Sequence, residues 1–248
     1  LRVALPHHEL VLYYQLQVDS SGQFIGAEAL LRWSHPQLGM VSPAQFIPVA
    51  EETGLILPIG HWVLETACAQ LASWEAEPRL RHLSIAVNVS ARQFREPGFV
   101  AQVHDALKRS GIRPEVLKLE LTESLVLDNV EDSIRKMKEL KKLGVKFSMD
   151  DFGTGYSSLA YLTRLPIDQL KIDQSFVRDI TTDPNDAAIV HAIISMSRSL
   201  GMEVIAEGVE TEAQRAFLEL HGCLAYQGYL YAKPLPIADV ERKLSGLQ

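Results

Sequence analysis

The segment 117–150 reads LKLELTESLVLDNVEDSIRKMKELKKLGVKFSMD. Short β-rich runs at residues 117–121 and 146–150 predict two strands. Between them, Asn129 precedes an amphipathic stretch that has acidic residues in its first turn and lysines in its last. This charge order complements a helix macrodipole, and Gly144 predicts the end of the helix. A strand, a helix and a strand in this order predict a βαβ unit of a parallel sheet.

The same alternation extends in both directions along the chain. Strands are predicted at residues 9–19, 24–33, 83–90, 169–172 and 203–206 and near Leu224. Helices are predicted at residues 59–75 and 98–110 and from Ser42, Asp183, Thr211 and Ile237. Ser42 with Gln45, and Thr211 with Gln214, have the spacing of capping boxes. About eight strands alternating with helices predict a single-domain (β/α)8 barrel over residues 1–248, with an open doubly wound sheet as the alternative.

Composition narrows the class of protein. The chain has 248 residues, 47% of them hydrophobic and 22% charged, as in an ordinary globular protein. Its net charge of −7 argues against a broad basic surface for duplex nucleic acid. Cys68 and Cys223 lie in apolar contexts without a CxxC motif, which indicates reduced core thiols and a cytoplasmic protein. The chain begins at Leu1 without Met, so we expect it to be a module of a longer parent protein, with membrane anchoring of that parent left open.

Polar side chains recur where the predicted strands end. They are Glu28, Asn88, Glu120, Glu123, Asp150, Asp151, Lys171, Asp173, Glu207 and Glu210. Taken singly, each is typical of a solvated loop or a turn. In a barrel, however, the carboxyl ends of the strands meet at one mouth, where active sites form.

Such a cluster of carboxylates predicts metal ions. Two like charges ~4 Å apart repel by about 4 kcal/mol at an effective dielectric of ~20, so bound cations are needed to keep them ionised. Oxygen ligands without Cys or His select hard ions, Mg²⁺ or Mn²⁺. Gly153 and Gly155 follow two acids, and Ser158 stands where a dinucleotide fingerprint needs a third Gly or Ala. The segment therefore predicts a loop over an active site instead.

Together these motifs resemble the EAL-domain family of cyclic di-GMP phosphodiesterases, over essentially the whole chain. The matching segments are Glu28-Ala29-Leu30-Leu31-Arg32-Trp33, Asn88-Val89-Ser90, Glu120-Leu121-Thr122-Glu123-Ser124, the run from Asp150 to Leu159, Lys171-Ile172-Asp173, Glu207-Gly208-Val209-Glu210 and Gln227-Gly228-Tyr229. One departure is visible: Tyr14-Gln15-Leu16 stands where the family usually has Tyr-Gln-Pro. Leu16 restores a backbone N–H and leaves Gln15 in place.

The resemblance implies two divalent cations and a role for each matching residue. Glu28, Asn88, Glu120 and Asp150 resemble ligands of one ion, Asp150 bridges to the second ion with Asp151, and Glu207 and Gln227 hold the second ion or its waters. Lys171 resembles the residue that contacts the attacking water, with Glu28 and Glu207 as further catalytic residues. Gln15, Leu31, Arg32, Asp173 and Glu210 resemble nucleotide-binding positions, and Glu123 resembles a residue that holds the Asp-Phe-Gly-Thr-Gly loop.

The implied reaction is hydrolysis of cyclic di-GMP to linear pGpG by a metal-activated water, with Ca²⁺ expected to inhibit. The resemblance also implies a homodimer and an upstream sensory or GGDEF domain in the parent protein. Two alternatives stay open: a catalytically silent receptor for cyclic di-GMP, and an unrelated Mg²⁺-dependent barrel enzyme that acts on sugars or carbon acids.

Overall fold

The computed structural model describes residues 1–153 and 159–246. Its centre is a closed barrel of eight strands. The strands are β1 (Leu10–Asp19), β2 (Phe24–His35), β3 (Gly39–Val41), β4 (Ser84–Asn88), β5 (Leu117–Thr122), β6 (Lys146–Phe152), β7 (Gln169–Ile172), β8 (Glu203–Ala206), β9 (Ala225–Gln227) and β10 (Leu235–Pro236). The barrel follows the order β1-β2-β4-β5-β6-β7-β8-β9 and closes where β9 pairs with β1. Because the barrel is closed, the alternative of an open doubly wound sheet is excluded. β3 extends the sheet beside β2, and β10 extends it beside β1.

Helices connect the strands and surround the barrel. They are α1 (Pro43–Thr53), α2 (Ile56–Ala76), α3 (Ala91–Arg95), α4 (Phe99–Ser110), α5 (Glu123–Asp128), α6 (Val130–Leu143), α7 (Leu159–Leu162), α8 (Gln174–Arg178), α9 (Pro184–Ser199), α10 (Glu212–His221) and α11 (Ile237–Leu244). Among the described residues, no single helix is long and apolar enough to cross a membrane. The consecutive helices α1 and α2 pass that test only together, at a bend of 119°.

The first strand departs from the pattern of a regular (β/α)8 barrel. β1 is antiparallel to both of its barrel neighbours, β2 and β9, whereas all other neighbouring barrel strands are parallel. The link from β1 to β2 is a tight turn in which the Asp19 carboxylate accepts hydrogen bonds from the backbone N–H groups of Ser21 and Gln23. A link of this length is too short for the helical crossover that parallel strands need.

Helix ends test the capping predictions. Thr211 and Gln214 form the predicted capping box at α10, and Asn129 accepts a hydrogen bond from the Asp132 backbone at the start of α6. The box predicted at Ser42 is wrong, because the Ser42 side chain forms no cap hydrogen bond and only its carbonyl accepts from the backbone of the first turn.

Alternate residues of β5 face opposite sides of the barrel wall, as the two-residue period of a strand requires. Leu117, Leu119 and Leu121 are buried in the core between the wall and the helices. Each buried leucine stabilises the fold by about 1.5–3 kcal/mol relative to an exposed one. Lys118 and Glu120 lie between these leucines and are buried on the inner side, where they bond to residues of β7. The barrel interior is therefore polar where most barrels are filled with aliphatic side chains.

Candidate functional site

Four carboxylates converge on one ammonium group at the carboxyl-terminal mouth of the barrel. The Nζ atom of Lys171 lies 2.6 Å from Glu207, 2.7 Å from Glu120, 3.1 Å from Asp150 and 3.3 Å from Glu28. Lys171 is 1% exposed and Glu120 is equally buried. The structure thus brings together four residues that are far apart in sequence, as the strand-end pattern predicted. We call this group the carboxylate cluster.

Strand register places these residues at one level. Asn88 of β4 pairs with Glu120 of β5, and Asp150 of β6 pairs with Thr122, the last residue of β5. Lys171 comes from β7, one residue before its end, and Glu207 directly follows β8. Because parallel strands end at the same edge of the sheet, their last inward-facing side chains meet across the barrel mouth.

Glu28 is oriented by two amide side chains in addition to Lys171. One carboxylate oxygen accepts from Asn88 Nδ2 at 2.6 Å, and the other accepts from Gln227 Nε2 at 2.6 Å. Gln227 Oε1 in turn accepts from Gln17 Nε2 at 2.9 Å. A carboxylate only accepts hydrogen bonds, so the position of Glu28 fixes the orientation of both amides in this chain. Gln17 supports this orientation of Gln227 by donating to its oxygen, a role that the motif analysis missed.

The glycine after Gln227 allows β9 to approach the segment that carries Glu207. A Cβ atom on Gly228 would lie 2.1 Å from the carbonyl oxygen of Val209 and 2.3 Å from its backbone nitrogen. The same contact is held by hydrogen bonds from the Val209 N–H to Gln227 and from the Leu230 N–H to Val209. Any other residue at position 228 would push the two segments apart.

Electrostatics of the cluster are dominated by burial and by mutual repulsion. Burial and the neighbouring Glu28 carboxylate raise the pKa of Glu120 well above its usual range. Burial likewise raises the pKa of Glu207 to about 8, although Lys171 opposes the shift. For Lys171, burial favours the neutral amine, but the carboxylates outweigh it and hold its pKa well above the ordinary value. The ammonium thus remains charged. Four carboxylates face this single positive charge, so their burial and mutual repulsion favour protonation of Glu120 and Glu207.

Burial also opposes ionisation of Glu28, yet its pKa is lowered. The charge of Lys171 and the hydrogen bonds from Gln227 and Asn88 outweigh the cost of burial. Glu28 is therefore the carboxylate of the cluster that is best prepared to stay ionised, because it is the one with donors on both oxygens.

Asp151 lies on a distorted part of β6. Its φ of 54° is in the left-handed region, and the pairing of β6 with β7 shifts register between Met149 and Phe152. A bulge of this kind re-aims a side chain at the end of a strand, at a cost in backbone strain. The Asp151 side chain is exposed at the mouth, but its carboxyl group is partly desolvated there. This desolvation, followed by the charge of the nearby Asp150, raises the pKa of Asp151. Both acids of the Asp150-Asp151 pair thus lie at the mouth.

The carboxylate oxygens of the site show whether these residues suit divalent cations. In residues 1–153 and 159–246, no three His, Cys, Asp or Glu side chains form a ready-made cation site, and Lys171 lies between the clustered carboxylates. However, Glu120 Oε1 is buried without a hydrogen-bond partner, and Asp150 Oδ1 meets Lys171 at ion-pair distance without hydrogen-bond geometry. Unsatisfied buried oxygens and excess negative charge are what a divalent cation relieves, so the residues fit oxygen-ligated metal.

The predicted nucleotide-binding residues lie around the same mouth, with unequal links to the cluster. Gln15 accepts a hydrogen bond from Gln227 at 3.2 Å and so joins the cluster directly. The half-buried Arg32 donates to the Leu31 carbonyl at 2.9 Å and lies over the Tyr13 ring, and burial lowers its pKa against the pull of Glu28.

Two further predicted nucleotide-binding residues lie on connecting segments. The Asp173 carboxylate caps α8 by accepting from the Ser175 backbone at 2.9 Å. Glu210 is exposed and its backbone N–H donates to Gln214. In residues 1–153 and 159–246, no hydrogen bond or ion pair joins Glu210 or Leu31 to the carboxylate cluster.

Glu123 is the first residue of α5 and is buried at 8% exposure. Its predicted partner, the loop that follows Gly153, lies outside the described residues. The role of Glu123 in holding that loop therefore stays a prediction.

Four polar residues in the barrel interior were not identified from the sequence. Gln17, Lys118, Ser148 and Gln169 are all buried, and each lies two residues from a predicted site residue on the same strand. Lys118 Nζ donates to Gln169 Oε1 at 2.8 Å, and Ser148 Oγ to the same oxygen at 3.3 Å. Because side chains two apart on a strand share a face, these residues form a second polar layer beneath the cluster. This two-residue spacing was the signal available in the sequence.

Comparison with known proteins places this arrangement in one family. The EAL domain family model matches residues 1–234. The bifunctional diguanylate cyclase/cyclic di-GMP phosphodiesterase MucR of Pseudomonas aeruginosa is 49% identical over 95% of this chain and 34% of its own length. The cyclic di-GMP phosphodiesterase NbdA of the same organism is 44% identical over 98% of this chain and 31% of its own length. The chain thus spans about a third of the length of these curated relatives.

Solved structures agree with the fold. The structure described as PaMucR phosphodiesterase in a c-di-GMP complex superposes with a TM-score of 0.93 at 48% identity, covering 96% of this chain and 97% of that one. The FimX EAL domain from Pseudomonas aeruginosa bound to c-di-GMP superposes with a TM-score of 0.85 at 26% identity, covering 94% of each chain. The family model, the curated relatives and the solved structures agree with the barrel and with the motifs at its mouth. The chain belongs to the EAL domain family.

Proposed function

We propose that this chain hydrolyses cyclic di-GMP to linear pGpG in a reaction that depends on divalent cations. The observation that carries the proposal is the convergence of Glu28, Glu120, Asp150 and Glu207 on Lys171 at the barrel mouth. Relatives that are 40–49% identical and named cyclic di-GMP phosphodiesterases support the substrate and the reaction.

The cluster supplies oxygen ligands for two cations, Mg²⁺ or Mn²⁺. Glu28, Asn88, Glu120 and Asp150 would hold one ion, Asp150 and Asp151 the second, with Glu207 and Gln227 holding that ion or its waters. Asn88 uses its NH₂ group for Glu28, so its amide oxygen is the atom left for a cation. Gln227 uses its NH₂ group on Glu28 and its oxygen on Gln17, so its contribution includes orienting Glu28. When bound, two such cations lower the pKa of a water and neutralise the phosphate charge.

The chain's own groups then direct the displacement. Lys171 has three N–H donors, and carboxylates that bind cations no longer require all of them, so the ammonium can orient the attacking water. The water oxygen bonds to phosphorus, the bond from phosphorus to one 3′ oxygen breaks, and the ring opens. Glu207, whose carboxylate lies 2.6 Å from Lys171 Nζ, would accept the proton that the water loses. Gln15, Leu31, Arg32, Asp173 and Glu210 would contact the nucleotide around the mouth.

A turnover assay tests the proposal against a receptor that binds but does not cut. The purified chain is incubated with cyclic di-GMP and Mg²⁺ or Mn²⁺, and products are separated by chromatography. We expect pGpG with either ion and none with EDTA. Ca²⁺ should support little turnover, since its larger, looser coordination suits in-line displacement poorly. Tight binding without product in Mg²⁺ and Mn²⁺ would contradict the enzyme proposal and favour the receptor. Normal turnover with Ca²⁺ alone would contradict the proposed cation chemistry.

Three properties beyond the site complete the proposal. We propose a homodimer, a cytoplasmic location and a parent protein that carries a sensory or GGDEF domain upstream. The partial coverage of the multidomain relatives supports the last of these. Sedimentation at several protein concentrations tests the dimer, and a purely monomeric chain at every concentration would contradict it.

A further inference from the structure

A cavity of about 650 Å³ lies at the opposite end of the barrel from the carboxylate cluster. Its lining comes from the first residues of the parallel strands, among them Ser84, Lys118, Lys146, Gln169 and Glu203. Its volume is in the range of pockets that bind small molecules. The proposed hydrolysis assigns no role to this cavity, because cyclic di-GMP would bind at the other mouth.

Lys118 is the unusual residue of this cavity. It is 6% exposed, yet the hydrogen bond from its Nζ to Gln169 Oε1, 2.8 Å long, leads to a neutral amide. Among the described residues, no carboxylate lies within ion-pair distance of this ammonium, and no acceptor takes its other two N–H groups. A buried charge without compensating partners is costly, so this ammonium calls for an acceptor that the chain itself does not supply.

The rest of the lining indicates what that acceptor belongs to. Lys146 and Arg198 also line the cavity, opposed by the carboxylates of Glu115 and Glu203, so cationic side chains are in the majority within a chain of net charge −7. Arg198 lies in the last turn of α9, where a cation also complements the helix dipole. The walls are largely apolar, formed by Ile25, Val116, Ile194, Met202, Val204 and Leu224. An apolar wall with a buried cation at its floor suits an amphiphilic anion.

We propose that this cavity binds a small organic anion whose carboxylate or phosphate group is held by the ammonium of Lys118 and whose body packs on the apolar wall. Gln169 forms the base of the site, since its Oε1 accepts hydrogen bonds from both Lys118 Nζ and Ser148 Oγ. The site is separate from the carboxylate cluster, so occupancy does not require divalent cations.

Calorimetry with benzoate and with phenyl phosphate tests the proposal and separates the two anionic groups. At least one probe should bind the chain, and benzyl alcohol, which lacks the charge, should bind at least about tenfold more weakly. The titrations are run with Mg²⁺ and repeated with EDTA, and the affinity should be the same. Binding that appears only with Mg²⁺ would assign the probe to the carboxylate cluster and overturn the proposal.

Lys118→Met removes the charge while keeping a long apolar side chain, and it should weaken binding at least about tenfold. Lys108→Met, on the exposed face of α4, is the matched control and should leave the affinity unchanged. Met202→Trp should block the cavity by volume without touching the charge, which keeps the test valid if Lys118→Met does not fold. Absence of binding by both anions, or equal affinity of wild type and Lys118→Met, would overturn the proposal.

Discussion

Lys171 and Lys118 are both buried inside the barrel, one layer apart, and their surroundings differ in kind. Lys171 lies among four carboxylates, and their charge holds its pKa well above the ordinary value against the effect of burial. In the part of the chain that the structure describes, Lys118 bonds only to the amide of Gln169. Burial lowers the pKa of Lys118, although Glu120 and Glu203 oppose the shift.

The two lysines show that burial alone does not determine what a charge does in a protein. At the carboxyl-terminal mouth, negative charge is in excess and the ammonium is its partial counter-ion. At the other end, the ammonium itself is the group in excess. The first arrangement attracts cations, and the second attracts an anion, so the barrel interior is polarised along its axis. Each substitution below tests one part of this arrangement.

Lys171→Met should have the largest effect on stability. Removing the cation leaves the buried carboxylates of Glu28 and Glu120 and the half-buried ones of Asp150 and Glu207 without their partner. Breaking a buried ion pair in this way costs about 3–5 kcal/mol. Urea unfolding in EDTA should show a loss of about 3 kcal/mol, and Mg²⁺ should restore part of it because bound cations replace the missing charge. An unchanged unfolding free energy in EDTA would mean that Lys171 does not hold the cluster together.

Gln17→Met should weaken divalent-cation binding by about tenfold, the usual effect of removing a group that orients a ligand. Without the Gln17 donor, Gln227 can turn its oxygen toward Glu28 and disturb that carboxylate. Gln17→Glu should be worse than Gln17→Met, because a carboxylate cannot donate to Gln227 Oε1. Calorimetric titration with Mn²⁺ measures both variants.

The matched control for Gln17 is Gln169→Met, which removes the other interior amide. Gln169 bonds to Lys118 and Ser148, and neither of these contacts leads to Glu28. Its substitution should leave the affinity for Mn²⁺ unchanged. Equal losses of Mn²⁺ affinity in the Gln17 and Gln169 variants would show that both substitutions loosen the barrel interior. They would contradict a specific orientation of Gln227 by Gln17.

Lys118→Met should have the smallest effect on stability, and with the opposite sign to Lys171→Met. Replacing a poorly compensated buried ion by an apolar side chain of similar length is neutral or stabilising. We expect a change in unfolding free energy between zero and about 1 kcal/mol in favour of the variant, measured in urea beside Lys108→Met. Ordinary surface substitutions change the unfolding free energy by about 0.5 kcal/mol. A decrease of about 2 kcal/mol or more in Lys118→Met would contradict the contrast between the two lysines.

Much of the fold and of the site could be predicted from the sequence, because both follow periodic rules. The bounds of β7 and β8 coincide with the predicted strands, since short β-rich runs flanked by polar residues define them well. The position of acids at strand ends predicted that Glu120, Asp150 and Glu207 would meet, whereas Glu28 lies within β2 and its place in the site was implied by the family resemblance. These predictions depend only on strand period and on the geometry of parallel strands.

Other features could not be predicted in the same way. Periodicity gives no strand direction, so the antiparallel course of β1 was missed, although the four residues between Asp19 and Phe24 are too few for a helical crossover. The capping box predicted at Ser42 is wrong because the spacing permits the hydrogen bond without requiring it. Gln17 and Lys118 were not recognised because an isolated polar residue in a strand does not show which side of the wall it faces. Their partners, Gln227 and Gln169, lie 210 and 51 residues away.

Turnover of cyclic di-GMP by Glu28→Ala tests most directly the claim that the carboxylate cluster is the catalytic centre. Glu28 is buried, bonds to Asn88, Gln227 and Lys171, and is proposed to bind a cation, so its loss removes a ligand and frees three of its partners. With saturating Mg²⁺, wild type should release pGpG. Glu28→Ala should do so at least about 10³-fold more slowly while remaining folded by circular dichroism, a loss of about 4 kcal/mol in transition-state stabilisation. Turnover by Glu28→Ala within about tenfold of wild type would contradict the account.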